Sequence, residues 1–370
     1  MKFGAPLFLI ILLTMVGNKS FGQNEPLTVG VIGLTHTHVH WIFESEKRGE
    51  IQIVGIVEPN RDLARRYADQ HGFSMDKVFE SPAQMLAVQT PEAVTAFGTI
   101  YDHLQVVETF APLGIHVMVE KPLAVSLEHG RKMASLAREH GIHLLTNYET
   151  SWYPTHHKIF EVVNQEQSIG PVRKVVVRDG HKGPKNIGVN PEFLEWLTDP
   201  VLNGGGALMD FGCYGANLMT WLMEGEKPRS VTAITGQFQP DNNPKVEDEA
   251  VILLRYQDAV AIIQASWNWP IGRKDLEVYG TVGAVFADNR HDYRIRIPTG
   301  YDTFEEASLN LPERDAPLDD PFAYFRAVIR GEVTPGPYAL SSLENNLMVL
   351  EILDAARRSA ANGRTVELTH

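Results

Sequence analysis

The chain has one cysteine, Cys213, among its 370 residues, so no intrachain disulfide can form. It lacks a basic excess. Lys and Arg number 33 against 46 Asp and Glu, a formal charge of −13, which argues against nucleic acid or an anionic membrane as the main partner. There is no H-E-x-x-H and no cysteine cluster to suggest a metal centre. Internal repeats and low-complexity tracts are also missing. What remains, at 44% apolar and 21% charged, is ordinary globular composition with length for two domains.

The longest apolar run, Leu7 to Val16, is too short to span a bilayer comfortably. Lys2 precedes it, and Ser20-Phe21-Gly22 follows with small residues at −3 and −1. This reads as a secretory signal over residues 1–22, cleaved before Gln23, and predicts a periplasmic or secreted protein with no membrane attachment after cleavage. No cysteine near that point could carry a lipid anchor. Losing Lys2 and Lys19 moves the formal charge from −13 to −15. An exported chain without disulfides must rely on its core.

From Leu27 the pattern alternates. Strands are expected at Leu27–Leu34, Ile51–Glu58, Ala93–Thr99, Ile115–Glu120 and Ile142–Asn147. Helices are expected at Val39–Arg48, Arg61–His71, Leu104–Leu113 and Leu127–His140. That grammar is an α/β, doubly wound parallel sheet over residues 26–148, which binds ligands at the carboxyl ends of its strands. After residue 150 the strands follow one another: Val172–Arg178, Ser230–Gln237, Ala250–Tyr256, Ala259–Ser266, Lys274–Gly280 and Ala284–Asp288. With helices at Ala207–Leu222 and Leu343–Ala361, they predict a C-terminal α+β domain, 149–368, with a large, mostly antiparallel sheet. Ser341 and Glu344 suggest a capping box, and acidic, proline-rich Tyr301–Asp320 a loop. An open antiparallel sheet face predicts a homo-oligomer.

Val117-Met118-Val119-Glu120-Lys121-Pro122 ends an apolar strand in a buried-looking Glu-Lys pair. Buried lysine is rare without a task, and the following proline fixes the local turn. An amine held there can shuttle protons if its pKa is tuned. The first strand-to-helix turn, Gly33-Leu34-Thr35-His36-Thr37-His38, keeps only the first glycine of the dinucleotide fingerprint. Glu58, 25 residues on, stands near where an acid meets the adenosine ribose, favouring NAD without excluding NADP. Thr99 and His103 follow another strand end, where cofactor contacts are expected. His36, His38 and His40 offer a rival, since an H-x-H pair can hold zinc. A helix start near His38 separates them, so no metal is assigned, and imidazole donors there could meet phosphate instead. Gly204-Gly205-Gly206 leads into a helix with Asp210 and Tyr214 at i, i+4, a carboxylate and a phenol on one face.

Glu120-Lys121-Pro122 after such a half-domain, followed by G-G-G-A-L-M-D-x-G-x-Y, resembles the Gfo/Idh/MocA oxidoreductases. The likeness runs from Thr28 to about Leu368, including Ile169-Gly170-Pro171-Val172 and Glu277-Val278-Tyr279-Gly280-Thr281. It implies NAD bound by Gly33, Thr35, His36, His38, Glu58, Thr99, His103 and Glu120. It implies Lys121 beside the nicotinamide and the reacting hydroxyl, Asp210 on the substrate, and Tyr214 in acid/base work beside a cation such as Lys121. His181, Trp196 and Trp152 are implied to line a carbohydrate pocket. The expected reaction is hydride transfer at a secondary hydroxyl with a tightly held cofactor. Transient oxidation with glycoside elimination, or sugar binding without a cofactor, are its alternatives.

Overall fold

In the computed structural model, residues 25–368 are described, so the secretory-signal expectation lies outside the described residues. The first sheet is built from β1 (Leu27–Ile32), β2 (Ile51–Val57), β3 (Val78–Phe79), β4 (Ala93–Ala96), β5 (His116–Glu120) and β6 (Leu144–Asn147). All pairs are parallel, in the order β3-β2-β1-β4-β5-β6. The order reverses between β1 and β4, which opens a crevice at their carboxyl ends. Val29, Val31, Val94, Val117 and Val119 are buried on the two faces, as a sheet covered by helices on both sides requires. Its helices stop where the sequence puts glycine in the left-handed region, at Gly49 and Gly72.

The second sheet contains β7 (Val172–Gly180), β8 (Ser230–Gly236), β9 (Glu249–Arg255), β10 (Val260–Ser266), β11 (Arg273–Gly280), β12 (Ala284–Ala287), β13 (Asp292–Pro298), β14 (Phe304–Asn310) and β15 (Val366–Glu367). Its order is β14-β13-β12-β11-β7-β10-β9-β8-β15, antiparallel except for β7 with β10. The helices Gly212–Leu222 and Leu343–Asn362 cover one face, where Ile252, Leu254, Ile263 and Val278 are fully buried. On β8 and β9, Ile234 and Leu253 are exposed.

Three expectations are corrected. The helix expected over Ala207–Leu222 breaks at Phe211 into Ala207–Asp210 and Gly212–Leu222, so Asp210 and Tyr214 do not share one helix face. The final helix is capped by Ser342, whose Oγ accepts from the Asn345 amide at 3.3 Å; Ser341 is not the cap. Part of the expected loop after Tyr301 is β14, a strand exposed along its whole length and paired in register with β13. Its acids read as loop, but Glu306 pairs with Arg296 across the ladder. The triple glycine serves the chain's own packing. A Cβ on Gly206 would stand 1.9 Å from the Glu247 carbonyl, and Gly204 presses on Val125 of the first sheet's connection.

Candidate active site

Lys121 directly follows β5, and its bond to Pro122 is cis. The ammonium is 6% exposed and ion-paired with the Asp210 carboxylate, donating also to the Asp210 carbonyl at 3.1 Å. Trp267 Nε1 donates to the other carboxylate oxygen at 3.0 Å. Burial disfavours both charges, but each offsets that cost for the other. Asp210 stays below the usual carboxylate range and Lys121 above the usual amine range. Lys121 is therefore a fixed ammonium with its charge balanced.

Lys121, Asp210 and Tyr214 border one cavity of about 460 Å³ between the two sheets, together with His36, His38 and His181. Three residues with no signature in the sequence complete it: Lys274, Glu149 and Tyr153. Lys274 of β11 donates to the Tyr214 hydroxyl at 3.4 Å and is ion-paired with Glu149. Tyr153 donates to the other oxygen of Glu149 at 2.5 Å. The cation beside the phenol oxygen is thus Lys274, while Lys121 lies over the ring, 5.2 Å from its centroid. Burial, then the negative charge of Glu149, pushes the Tyr214 phenol well above its ordinary value. A phenol held protonated can donate, which is the acid half of the acid/base work that the family likeness implies.

A second cavity, of about 300 Å³, lies at the reversal of strand order and is bordered by Gly33, Val57, Gly98, Thr99 and His103. Gly33 has φ +81, and a Cβ there would stand 2.8 Å from the Gly98 amide nitrogen. Glu58 is buried under the turn, with one oxygen on the Leu34 amide and the other on the Asn60 amide. It braces the loop. Thr35 and His36 both donate their amides to the Phe97 carbonyl. The cradle of the glycine fingerprint is therefore replaced by a loop closed on itself. Two buried groups beside it lack partners among the described residues: the Thr37 hydroxyl at the first cavity and His103 Nε2 at the second. The slot at the switch point, the first cavity with Lys121 on its wall, and an unpaired polar atom at each suit a dinucleotide. Val57, Gly98, Thr99 and His103 would hold its adenosine end. Thr37 and Lys121 would hold its nicotinamide end, while Glu120, implied by the family likeness to touch the cofactor, is buried with both oxygens on Asn147 and His38 and borders neither cavity.

The H-x-H pair does meet a carboxylate. His36, His38 and Glu120 bring three donor atoms within 4.8 Å of one another. Proton placement opposes a metal there. The His38 amide donates to His36 Nδ1 at 3.1 Å, so the neutral ring carries its proton on Nε2, the nitrogen facing Glu120 at 4.0 Å. A ligating histidine needs a lone pair inward and N–H outward, the reverse of this.

The two tryptophans expected in the sugar pocket are elsewhere. Trp152 is 4% exposed, stacks edge-on against Tyr324, and donates to Asn147 Oδ1 at 3.0 Å. Trp196, on the helix Pro191–Leu197, donates to Thr35 Oγ1 at 3.1 Å and lies against His36. Buried indole N–H groups need acceptors, and both found them away from the cavity. His181 does border it, with Nδ1 accepting from the Gly183 amide at 3.0 Å.

Residues 27–148 match the model of an oxidoreductase family with an NAD-binding Rossmann fold, and residues 158–286 match that of the GFO/IDH/MocA C-terminal domain. A 1,5-anhydro-D-fructose reductase of Ensifer adhaerens is 25% identical over 92% of this chain and 98% of its own. A trans-1,2-dihydrobenzene-1,2-diol dehydrogenase of Sus scrofa is 27% identical over 58% of this chain and 59% of its own. Among solved structures, GenD2 from gentamicin A biosynthesis, in complex with NAD, superposes with a TM-score of 0.76 at 25% identity, covering 95% of this chain and 98% of that one. An aldose-aldose oxidoreductase from Caulobacter crescentus complexed with glycerol gives 0.77 at 22%, covering 93% and 100%, a likeness of fold.

Proposed function

This chain belongs to the Gfo/Idh/MocA family of NAD-binding oxidoreductases, and on that premise we propose that it oxidises or reduces a secondary hydroxyl of a neutral sugar with an NAD that it retains. The observation that carries the reading is the Lys121–Asp210 pair, set at a strand end of the first sheet and facing a cavity walled by the second. When bound, NAD accepts or returns the hydride at the carbinol carbon. The chain supplies the rest. Lys121 presents an ammonium to the substrate oxygen and stabilises negative charge that develops there. Asp210 holds that ammonium in place. Tyr214, neutral, offers a hydroxyl donor beside it.

Charge supports a neutral substrate. Four cations border the cavity, and each already holds a carboxylate: Lys121 with Asp210, Lys274 with Glu149, Arg273 with Asp275, Arg290 with Glu313. The imidazole of His181 is also uncharged near neutrality, since burial lowers it to about 4. A uronate or phosphate would find no cation without first breaking a pair. Phe193, Phe211 and Tyr153 supply apolar faces for a sugar ring. The likeness to an anhydrofructose reductase agrees with that class.

Retention is supported by the helix Pro191–Leu197. It lies over the dinucleotide loop, tied by Trp196 to Thr35 and by Glu192 to Arg66, with Asn190 reaching Tyr67 at 3.4 Å. Thr35 stands where the fingerprint has glycine, and its hydroxyl is the anchor. Such a cover suits an enzyme working where free NAD is scarce, and we place the mature protein in the periplasm or outside the cell, as the residue 1–22 pattern implies. Exposed Ile234 and Leu253 on the second sheet suit pairing with another subunit. The test is absorbance at the NADH band of freshly purified protein exposed to a panel of neutral sugars and uronates. Reduction by a neutral sugar is expected. Turnover of uronates alone would refute the substrate class, and silence from nucleotide-loaded protein toward the whole panel would refute the reaction.

A further inference from the structure

Oxidation of a hydroxyl needs a group that takes its proton, and the cavity holds few. Lys121 and Lys274 are ammonium ions in pairs. Tyr214 is a phenol held protonated by burial and by Glu149. Tyr153 gives its hydroxyl proton to Glu149. His181 and His36 each accept a backbone amide at Nδ1, so in each neutral ring the other nitrogen already carries the proton. His103 opens to the other cavity.

His38 differs. Its Nδ1 stands 2.8 Å from Glu120 Oε2. An ionised carboxylate only accepts, so this nitrogen carries the proton and the neutral ring keeps its lone pair on Nε2. Glu120 is 2% exposed and its carboxyl is held down to about 2: burial opposes ionisation, and the adjacent His38 and His36 outweigh it. Its orientation is fixed by a directed chain. Trp152 Nε1 donates to Asn147 Oδ1 at 3.0 Å, Asn147 Nδ2 donates to Glu120 Oε1 at 2.8 Å, and His38 Nδ1 donates to Glu120 Oε2. The His38 ring is stacked on Trp41, with centroids 3.9 Å apart, and it borders the cavity with Lys121. The ring thus has a fixed tautomer, a buried anion behind it and an open nitrogen in front, the arrangement of a histidine base oriented by a carboxylate.

We propose that His38 is the proton acceptor of the reaction and that Glu120, Asn147 and Trp152 are its positioning residues. This rests on the oxidoreductase reading above. In the oxidising direction the hydroxyl O–H bond breaks, its proton goes to His38 Nε2, and the C–H bond gives its hydrogen and both electrons to the bound NAD. The ring becomes an imidazolium facing Glu120. In the reducing direction the same proton returns to the oxygen. The fingerprint glycine that His38 replaces has no side chain, so the change that spoils the motif supplies the base. The charged or titratable groups around the ring are Glu120 from β5, His36 from the loop, Glu149 from the turn Glu149–Trp152 and, on the wall of the same cavity, the paired Lys121 ammonium.

The test uses the purified holoprotein, with its nucleotide content measured first so that loss of cofactor is separated from loss of the base. His38→Gln should lower kcat by at least about 100-fold, remove the acidic limb of the pH–rate profile, and leave bound NAD and sugar KM within about threefold. Glu120→Gln should move that limb to lower pH, and Glu120→Asp should restore part of it. An unchanged kcat or an unchanged acidic limb in His38→Gln would overturn the proposal. A readout that needs no turnover is the ¹⁵N spectrum of the imidazoles. A ring protonated at Nδ1 and bare at Nε2 is expected for His38 at high pH, and the opposite tautomer would also overturn it.

Discussion

Replacing Lys121 with Met removes the ammonium and leaves most of the side-chain volume. Asp210, 4% exposed, then keeps one donor, the Trp267 indole, and has no countercharge. Breaking a buried pair from one side costs about 3–5 kcal/mol. The carboxylate can escape by taking a proton. From an unfolded-state value near ~3.9, that costs about 4 kcal/mol at pH 7 and about 1.5 kcal/mol at pH 5, at ~1.4 kcal/mol per pH unit. The two routes agree, so a loss of about 4 kcal/mol is expected at pH 7. The sign follows from linkage. In the native protein the Asp210 pKa is depressed, so its contribution is present above the unfolded value and lost as pH falls. In the variant it is raised, so the folded state gains protons relative to the unfolded one and the deficit shrinks by about 2–3 kcal/mol between pH 7 and 5. Urea unfolding of both proteins at pH 7, 6 and 5 measures this. Adding Asp210→Asn should recover most of the loss. A pH-independent deficit under about 1 kcal/mol would refute the buried pair. In the same variant, kcat should fall at least about 100-fold.

Three further outcomes are expected. Trp196→Ala removes the tie to Thr35 and should speed NAD dissociation by about 10-fold, the equivalent of ~1.4 kcal/mol, in a stopped-flow chase with excess nucleotide; an unchanged off-rate would show that the helix Pro191–Leu197 is no cover. Glu149→Gln frees Lys274, so a uronate should bind more tightly by calorimetry while its neutral parent sugar does not; equal change for both would remove the charge argument. His103 and His156, fully buried, are lowered to about 4 by burial, so the unfolded chain binds protons first as pH drops below ~6.5. Stability should therefore fall by a few kcal/mol between about pH 6 and 4, at roughly 1.4 kcal/mol per pH unit for each ring. A flat urea midpoint over that range would contradict their burial as neutral rings.

The strand-and-helix alternation of the first sheet was readable because each strand is an apolar run closed by a glycine or a cap, as in Ile51–Val57 and the helix ending at Gly72. Lys121 was readable because a charged pair interrupts such a run. Lys274 and Glu149 were not. They lie 125 positions apart, one on an alternating strand and one in a short 3₁₀ turn, and only packing brings them to Tyr214. Trp152 and Trp196 were misplaced because an indole suits both a sugar face and a core. The acceptors that decided between them are Asn147, at the end of β6 just before the turn that holds Trp152, and Thr35, in the loop after β1 and 161 positions from Trp196. The H-x-H spacing of His36 and His38 fits metal and base equally. Their tautomers, set by one backbone amide and one carboxylate, are visible only in three dimensions.

The claim beneath all of this is that the protein holds NAD. Freshly purified protein, denatured and filtered, should release NAD or NADH in near-stoichiometric amount, identified by mass and by absorbance. Protein that releases no nucleotide, and that takes up none from added NAD or NADP, would contradict the account.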